Sequence, residues 1–568
     1  MVYRLVLKHL PIYLSLLLVL TCAKEDSQDP GTTPSNITPK YILTATAGEG
    51  GSVDPSTGTF IAGTEVSITA TASSGYRFTG WSNGSSDNPV TITLNYDTSV
   101  TANFEQIPVY SLIISAEDGG SVSSEGGEYS EGTEVSITAT PDEGYEFIFW
   151  SDGSTESTRV ITASEDLTLT ASFINANSSS GLPIIYINTS GVSIVSKDDY
   201  VEGSISISGS DNFPDLSETD IKIKGRGNST WWQGGIWGKK PYQIKFDDKT
   251  QVLNMPKDKK WVLLAEISDV SLIRNKLARE ISGIGSFDYV PKAEYVELLL
   301  NSQHQGIYLV GQKVEESKNR VNIGDDGYLV EIDTDANGRI DPNDDVYFKS
   351  AQSGLWPERN VFNIKEPGLE YDSDEFNLII NHVDNFEAAL FSEDFKNPDS
   401  GYRAYIDLES FIDFYLVSEI TKNQDAASYS SIFFTYMPGE KIKMGPIWDY
   451  DLAFGNVYYS EAEFPEGFWI KSGNPWFKRM FEDDYFKEAV RERFNYYYSN
   501  LGSFQSKIDE FQSYISAAQE RNFELYPGLL DPSVEIWPVP VRFYNHNGYV
   551  DHLKTWLNAR MDWLNTNL

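Results

Sequence analysis

The chain has 568 residues and a formal net charge of −39, because 83 acidic side chains outnumber 44 lysines and arginines. The phosphate backbone of a nucleic acid repels this charge, so we expect no nucleic-acid partner. Aromatic residues make up 13% of the sequence, which is enough apolar surface for several buried cores and argues against global disorder.

The N-terminus is typical of an exported protein. Arg4 and Lys8 precede an apolar run, Leu10 to Leu20, which has the length of a signal-peptide core and is short for a membrane span. Cys22, the single cysteine, lies where a lipoprotein is cleaved and lipidated; an ordinary signal peptide with an incidental cysteine is the alternative. We predict a signal peptide at residues 1–22, a lipid anchor at Cys22, and an extracytoplasmic location on the outer membrane or cell surface.

A tether rich in Ser, Thr, Pro and Asp, residues 23–40, leads to an internal repeat. The motif EVSITAT at Glu65–Thr71 returns at Glu134–Thr140, an offset of 69 residues. Its alternation of apolar and polar side chains predicts half-buried strands. We therefore predict two small all-β modules, at residues 41–106 and 110–174.

Both predicted modules share aromatic residues, among them Trp81 and Trp150. We expect these side chains to form the core of each module, and a sugar-stacking platform is the alternative. The two copies resemble the divergent internalin B-type repeats of bacterial surface proteins. That resemblance implies a spacer or adhesion module without chemistry of its own.

A linker, residues 175–181, precedes a domain of mixed composition that we place at residues 182–568. Its first half contains strand-like runs: Pro183–Ile187, Asp220–Lys224, Tyr242–Phe246, Trp261–Leu264, Tyr295–Leu300, Gly306–Val310 and Tyr328–Ile332. Helical patterns follow, in Leu408–Ile420 with Asp407 as N-cap, and in a stripe from Val550 to Leu564. Strands followed by helices predict an α+β domain with two lobes.

Three aspartates of this domain are predicted to meet. Ser431–Tyr436 and Lys441–Met444 are typical of two strands, and a Pro-Gly turn joins them into a tight hairpin. Asp425 precedes the hairpin, and Asp449 and Asp451 follow it. Converging carboxylates suit divalent-metal phosphate chemistry, whereas two solvated acidic loops are the alternative.

The strand-rich half supplies cations for a bound phosphate. Arg226 lies among small residues in GRGNSTW, which we predict to be a loop able to approach a polyphosphate closely. Lys240 and Lys245 flank the next strand, and Pro241 leaves open which of the two faces the phosphate. Glu280, in a helix-like run, is a candidate partner for one of these lysines.

Seven segments, in this order, carry a family resemblance: GRGNSTW, KKPYQIKF, WVLLAEISDVSLIRNKLA, GIYLVGQKV, GYLVEID, KNQD and GPIWDYDLAFGN. The series, which lies within residues 182–568, resembles the CotH (spore coat protein H) kinase family. The resemblance implies a bilobal, protein-kinase-like fold. It also implies transfer of the γ-phosphoryl group of ATP to a Ser or Thr hydroxyl of a protein substrate, with Mg²⁺ or Mn²⁺.

The resemblance implies roles for the three acids. Asp425 matches the catalytic aspartate of the family, and Asp449 and Asp451 match its metal-binding WD-x-D motif. This chain lacks the Asn that follows the catalytic Asp in many members, which leaves Ser430 or Ser431 as a candidate metal ligand. It also has Gln312 where many have Glu. The alternatives are therefore a pseudokinase, or a non-catalytic surface adhesion or binding protein that uses the same fold.

A second metal signal lies between two strand-like segments. It follows the calcium-loop spacing, with Asp in place of Glu at the last position, and its candidate ligands are Asp333, Asp335, Asn337, Asp341 and Asp344. We predict a weak Ca²⁺ site here, although an acidic hairpin tip explains the same residues.

Overall fold

The computed structural model of the protein describes residues 38–143, 145–154, 156–175, 180–210, 212–336, 339–341 and 344–568. The predicted signal peptide, Cys22, most of the tether, and Asn337 lie outside these residues. The chain forms two compact units, one that ends at Val109 and one that begins at Tyr110. Within the described ranges, every helix is too short or too polar to cross a membrane.

The first repeat module consists of two small sheets that share one core. A four-stranded sheet has the order β3-β1-β7-β5, and a three-stranded sheet has the order β2-β4-β6. Leu43, Ile68 and Trp81 are buried between them. Its strands are β1 (Lys40–Ala47), β2 (Gly51–Asp54), β3 (Thr57–Ile61), β4 (Thr64–Ala72), β5 (Tyr76–Trp81), β6 (Val90–Leu94) and β7 (Thr98–Gln106).

The second module repeats this arrangement, with sheet orders β10-β8-β14-β12 and β13-β11-β9. The ring nitrogen of Trp150 donates to the carbonyl of Glu156 at 3.0 Å, as that of Trp81 does to Asp87 at 2.8 Å. Both tryptophans are therefore core residues, as predicted, and not an exposed sugar platform. Its strands are β8 (Val109–Ala116), β9 (Gly120–Val122), β10 (Gly126–Ser130), β11 (Glu134–Pro141), β12 (Tyr145–Trp150), β13 (Thr158–Thr162) and β14 (Leu167–Asn175).

A closed seven-stranded barrel follows, in the order β15-β16-β17-β18-β19-β21-β20. The parallel pairing of β15 with β20 closes it, and the barrel is filled by side chains such as Ile223, Ile244 and Trp261. Its elements are β15 (Ile184–Asn188), β16 (Val201–Ser208), β17 (Leu216–Gly225), α1 (Ser229–Trp237), β18 (Tyr242–Thr250), β19 (Asp258–Leu264), α2 (Arg274–Ser282), β20 (Ala293–Leu300) and β21 (Gln303–Gln312).

The second module packs against this barrel. The rings of Phe149 and Tyr186 lie 4.7 Å apart, and Leu299 completes the apolar contact. Beside it, the side-chain amide of Asn188 donates to the carbonyl of Ser151 at 3.0 Å. This contact was not predicted, because the resemblance implied only a spacer or adhesion module.

A second sheet of five strands, ordered β23-β24-β22-β25-β26, lies in the remaining part with most of the helices. The predicted hairpin is present as β25 and β26, and Asp407 caps α4 by accepting from Ser410 N at 2.9 Å. The elements are β22 (Tyr328–Thr334), β23 (Val346–Phe348), β24 (Asn360–Glu366), α3 (Asp374–Phe391), α4 (Leu408–Thr421), β25 (Ile432–Tyr436), β26 (Lys443–Met444), α5 (Ile470–Gly473), α6 (Pro475–Met480), α7 (Asp484–Ser499), α8 (Leu501–Tyr514), α9 (Ser516–Leu525) and α10 (His546–Asn567).

The helix α10 braces the end of α4 and the loop that follows Asp451. The fully buried Arg560 donates to the carboxylate of Glu419 at 2.7 Å and to two loop carbonyls. The indole of Trp556 donates to the carbonyl of Glu463 at 2.8 Å. It also lies so close to Gly455 that a side chain there would collide with it.

The predicted architecture is confirmed at the level of an all-β repeat region followed by a mixed α/β domain. One local prediction was wrong. GRGNSTW was expected to be a loop throughout, but α1 begins at Ser229, and only Arg226 to Asn228 link it to β17. The sequence TWWQGGIW continues with apolar residues at helical spacing, which explains the early start.

Candidate functional site

A cavity of about 640 Å³ lies where the barrel, the second sheet and the loops around β25 and β26 meet. This volume falls within the range of about 300 to 1,000 Å³ that is common for small-molecule sites. Its charged side chains are Arg226, Glu266, Lys313, Glu331, Arg339, Lys365, Asp425, Asp449 and Asp451. Acids and bases thus share one enclosed space.

The three predicted acids, Asp425, Asp449 and Asp451, all line this cavity. The hairpin β25–β26 returns the chain to its starting edge, and the two acid-bearing loops are joined directly. The side-chain amide of Asn423 donates to the carbonyl of Asp449 at 3.1 Å. The hairpin geometry inferred from the sequence therefore does bring these residues together.

The helix α2 fixes the loop that carries Asp449 and Asp451. The side chain of Asn275 accepts from Tyr450 N at 2.9 Å, and Arg274 Nε donates to the carbonyl of Ala453 at 3.1 Å. Asp449 has a φ of +66°, a conformation that is costly for a residue with a side chain and persists where surrounding contacts impose it. Such strain is concentrated at functional sites.

Burial and mutual repulsion raise the pKa values of four acids of the cavity. Burial, together with the carboxylate of Asp449, raises the pKa of Asp425 to about 7. Burial and the charges of Asp449, Glu266 and Asp425 raise the pKa of Asp451 well above its usual range. Burial likewise raises the pKa of Glu266 to about 8 and of Glu331 to about 7. Negative charge in this cavity therefore lacks sufficient compensation.

The carboxylates of the cavity suit a divalent cation that is also coordinated by water or by substrate phosphates. Among the described residues, no group of three His, Cys, Asp or Glu side chains is arranged to hold a metal ion by itself. Mg²⁺, however, commonly takes only one or two carboxylates and completes its shell with water and substrate phosphates. Asp449 and Asp451 meet that requirement, and a cation would relieve the repulsion that raises the pKa of Asp451.

Of the four cations that line the cavity, Arg339 is paired with Asp333 and Lys365 lies near Glu331 and Asp345, so Arg226 and Lys313 are the candidates for phosphate contact. Arg226, as predicted, lines it, and its guanidinium lies 5.7 Å from the ring centroid of Trp448. Lys313, which the sequence argument passed over, also lines it. Burial lowers the pKa of Lys313 to about 8, and the charges of Lys365 and Arg226 act in the same direction. An anion beside Lys313 would raise the pKa of this lysine again.

The structure does not bring the other predicted phosphate contacts to the cavity. Lys245 alternates along β18 with the buried Ile244 and Phe246, so its side chain lies on the outer face of the barrel. The ammonium of Lys240 lies 4.4 Å from the ring centroid of Trp231. Neither lysine lines the cavity.

Glu280 and Ser430 also lie differently from the prediction. Glu280 is on α2 but outside the cavity lining, and its charge acts on Lys507 of α8. Ser430 is fully buried, and its hydroxyl donates to Asp425 Oδ2 at 3.5 Å. Ser430 is thus turned towards the predicted catalytic acid and away from the cavity, whereas Ser431 lines it.

The predicted calcium loop engages its carboxylates within the chain. Asp333 is buried on β22 and accepts from Arg339 Nε at 2.6 Å. Asp345, just beyond the loop, accepts from Asp341 N at 2.8 Å. The guanidinium of Arg339 thus already occupies the first ligand position of the predicted calcium loop. Ca²⁺ binding stays a prediction, because Asn337 lies outside the described residues.

The residues that sequence reasoning missed had weak signals. Glu331 lies between the apolar Val330 and Ile332 of β22, and Lys313 follows the end of β21 directly. Charged residues are rarely buried at such positions. Asn275 and Glu266 carried no comparable signal, because their importance arises from contacts between α2 and a loop about 175 residues away. Arg339 was missed because it lies within the segment that matches the calcium-loop pattern.

The barrel, the second sheet and the cavity together define a mixed α/β protein with a cavity lined by acidic and basic side chains. A family model described as CotH kinase protein matches residues 222–564, and the chain belongs to this family. A second model, described as divergent InlB B-repeat domain, matches residues 41–108 and 110–177. Both resemblances drawn from the sequence are thereby confirmed.

A curated relative is Inner spore coat protein H of Bacillus subtilis (strain 168), which is 25% identical over 240 residues. The match covers 40% of this chain and 59% of the relative. The chain therefore spans less than two thirds of the length of that protein.

Proposed function

We propose that the protein is a metal-dependent kinase that transfers the γ-phosphoryl group of ATP to a Ser or Thr hydroxyl of a protein. One observation carries this proposal: Asp425, Asp449 and Asp451 converge on a cavity that also exposes Arg226 and Lys313. In this proposal the barrel and the sheet-and-helix part serve as the two lobes of a kinase-like domain, and ATP lies between them.

The cavity offers a place for each part of the nucleotide. Leu264, Ala265, Val314 and Phe433 give it an apolar wall that suits the base. Lys313 and Arg226 would contact the phosphates, since charged hydrogen bonds are the strongest phosphate contacts. Asp449 and Asp451 would hold Mg²⁺ or Mn²⁺, which neutralises charge on the phosphates during transfer.

Asp425 would receive the proton of the acceptor hydroxyl. The hydroxyl oxygen forms a bond to the γ-phosphorus, the bond from that phosphorus to the β–γ bridging oxygen breaks, and ADP leaves. A group with a pKa of about 7 is well matched to accept a proton near neutral pH. The hydroxyl of Ser430 and the amide of Asn423, which accepts from Asp425 N at 3.1 Å, orient this residue.

The test uses the full chain, γ-labelled ATP, Mg²⁺ or Mn²⁺, and a mixture of Ser- and Thr-containing proteins. We expect Asp425→Asn to lower transfer at least about 100-fold, because it removes the proton acceptor and keeps the shape. Glu440→Gln, an equivalent change at the exposed turn of the hairpin, should leave transfer unchanged.

Two results would contradict the proposal. Binding of ATP without transfer to any protein would indicate a pseudokinase. Absence of both ATP binding and phosphoryl transfer would favour a surface adhesion or binding protein that uses this fold without nucleotide.

A further inference from the structure

A second groove opens beside the cavity, on the side of α1. Its volume is about 570 Å³, close to that of the cavity itself. Trp537 and Ser229 line both spaces, so the groove adjoins the proposed phosphoryl-transfer site. Its lining consists of Ser229, Trp232, Gln233, Ile236, Trp237, Tyr458, Glu535 and Trp537.

The groove exposes large apolar side chains to solvent. Trp232 and Ile236 are one helical turn apart on α1, and 62% and 60% of their surfaces are exposed. Tyr458 is also exposed, on the opposite loop. Exposed apolar residues that cluster at a concave surface mark interaction sites, because isolated ones are common but grouped ones are not.

A pair of stacked rings connects the groove to the acids. The rings of Tyr459 and Trp537 lie 6.0 Å apart and are nearly parallel, at 8°. Tyr459 lines the cavity, where burial and then the charges of Asp425 and Asp451 raise the pKa of its hydroxyl. The ring pair therefore borders both the groove and the cavity that contains the proposed proton acceptor.

The chemistry of the lining selects among ligands. Glu535 is its only charged residue among those described, so an anionic ligand such as a second nucleotide is disfavoured. Sugars need several planar polar side chains for their hydroxyls, and this lining is mostly apolar. An apolar side chain of a polypeptide therefore suits this lining better than an anion or a sugar.

We propose that this groove binds the acceptor polypeptide by taking up one of its aromatic or aliphatic side chains, a few residues from the hydroxyl that receives the phosphoryl group. The proposal rests on the proposed kinase function and adds to it a rule of substrate choice. Trp232 and Ile236 form the floor for the apolar side chain, and the ring pair of Tyr459 and Trp537 borders the path to Asp425.

The experiment compares two sets of peptides with the full chain. One set carries a Ser with a Phe at successive positions on either side, and the other has Ala in place of each Phe. For the best Phe peptide, we expect Trp232→Ala and Ile236→Ala each to raise KM about tenfold with kcat unchanged. Tyr544→Ala, an exposed aromatic outside the groove, is the matched control.

Peptide binding to the Asp425→Asn protein, followed by fluorescence anisotropy, separates the two proposals. If no peptide is phosphorylated but Phe-dependent binding is lost in Trp232→Ala, the groove is a peptide site and the kinase proposal fails. If peptides are phosphorylated equally well with Phe or Ala, or if an oligosaccharide displaces the bound peptide, the groove proposal is overturned.

Discussion

Asp425, Glu331 and Glu266 differ from ordinary surface acids because burial raises the pKa of each to about 7 or 8. In the unfolded chain the same groups titrate near pH 4. Between these values the folded chain binds more protons than the unfolded chain. These three groups therefore lower the free energy of unfolding of the metal-free protein as the pH rises through this window.

We predict that the melting temperature of the metal-free protein falls by several degrees, on the order of 5 °C, between pH 5 and pH 8. Millimolar Mn²⁺ should raise it more at pH 8 than at pH 5, because the ion binds ionised carboxylates and must displace protons at low pH. Thermal unfolding with and without chelator measures both effects. A metal effect that is equal at the two pH values would contradict the site.

Lys313 and Lys245 provide a matched pair of substitutions. Lys313→Met should raise the Kd for ATP about tenfold or more, because a phosphate loses a charge-assisted hydrogen bond. Lys245→Met should leave it unchanged, since that side chain lies on the outer face of the barrel. Calorimetric titration with ATP and Mg²⁺ gives both constants. If both substitutions raise the Kd for ATP equally, or if only Lys245→Met does so, the original prediction that Lys245 contacts the phosphates would stand again.

The sequence could identify the three aspartates but not the lysine. A local hairpin determines how Asp425, Asp449 and Asp451 meet, and its strand and turn residues can be recognised in the sequence. Which lysine faces the cavity depends on barrel closure, in which Ile184 pairs with Glu297 across more than 100 residues. No local pattern encodes such a pairing, so Lys240 and Lys245 were candidates and Lys313 was not.

At the scale of elements, α2 is the support on which the Asp449–Asp451 loop rests. Asn275→Ala removes the acceptor of Tyr450 N and the donor to the carboxylate of Glu266. We expect a loss of about 1 to 3 kcal/mol in the free energy of unfolding, because buried polar groups lose their partners. Mn²⁺ binding should weaken as well, since the strained Asp449 loses its support.

Denaturant unfolding and Mn²⁺ titration measure the two effects of Asn275→Ala. Asn254→Ala, at an exposed position of the barrel with one side-chain hydrogen bond, is the control and should change neither quantity appreciably. A stability loss without any change in Mn²⁺ affinity would show that α2 supports the fold but not the site.

Elements with strong local signals were predictable, and those fixed by distant contacts were not. The cap at Asp407 and the hairpin strands lie close to their predicted places. Closure of the barrel did not follow from the pattern, whereas the start of α1 at Ser229 had a local signal that the loop prediction overlooked. Alternation and capping act within a few residues, whereas closure depends on the two ends of the barrel meeting.

At the scale of the whole molecule, the two repeats differ where one of them contacts the barrel. The second module has Ile148 and Phe149 at the offset positions of Thr79 and Gly80 in the first. Both modules have a register shift in this strand, between Phe78 and Gly80 in the first and between Phe147 and Phe149 in the second. The apolar pair therefore accounts for the packing of the second module on Tyr186. This difference between the two repeats is already present in the sequence.

We predict that Phe149→Ala in the full chain lowers the free energy of unfolding by about 3 kcal/mol, as for other large-to-small changes in cores. Val160→Ala, on an exposed strand position of the same module, should have almost no effect. Denaturant unfolding monitored by tryptophan fluorescence tests this. Equal, small effects of both changes would show that the contact with Tyr186 does not stabilise the protein.

The bracing role of α10 has a consequence for the order of synthesis. A ribosome makes all three aspartates of the cavity before it makes Trp556 and Arg560. Until those two emerge, Glu419 keeps a charge without its buried partner, and the loop after Asp451 lacks the indole that covers Gly455. The cavity can therefore be completed only after α10 has left the ribosome, so a nascent chain that has not yet exposed α10 does not present a finished site.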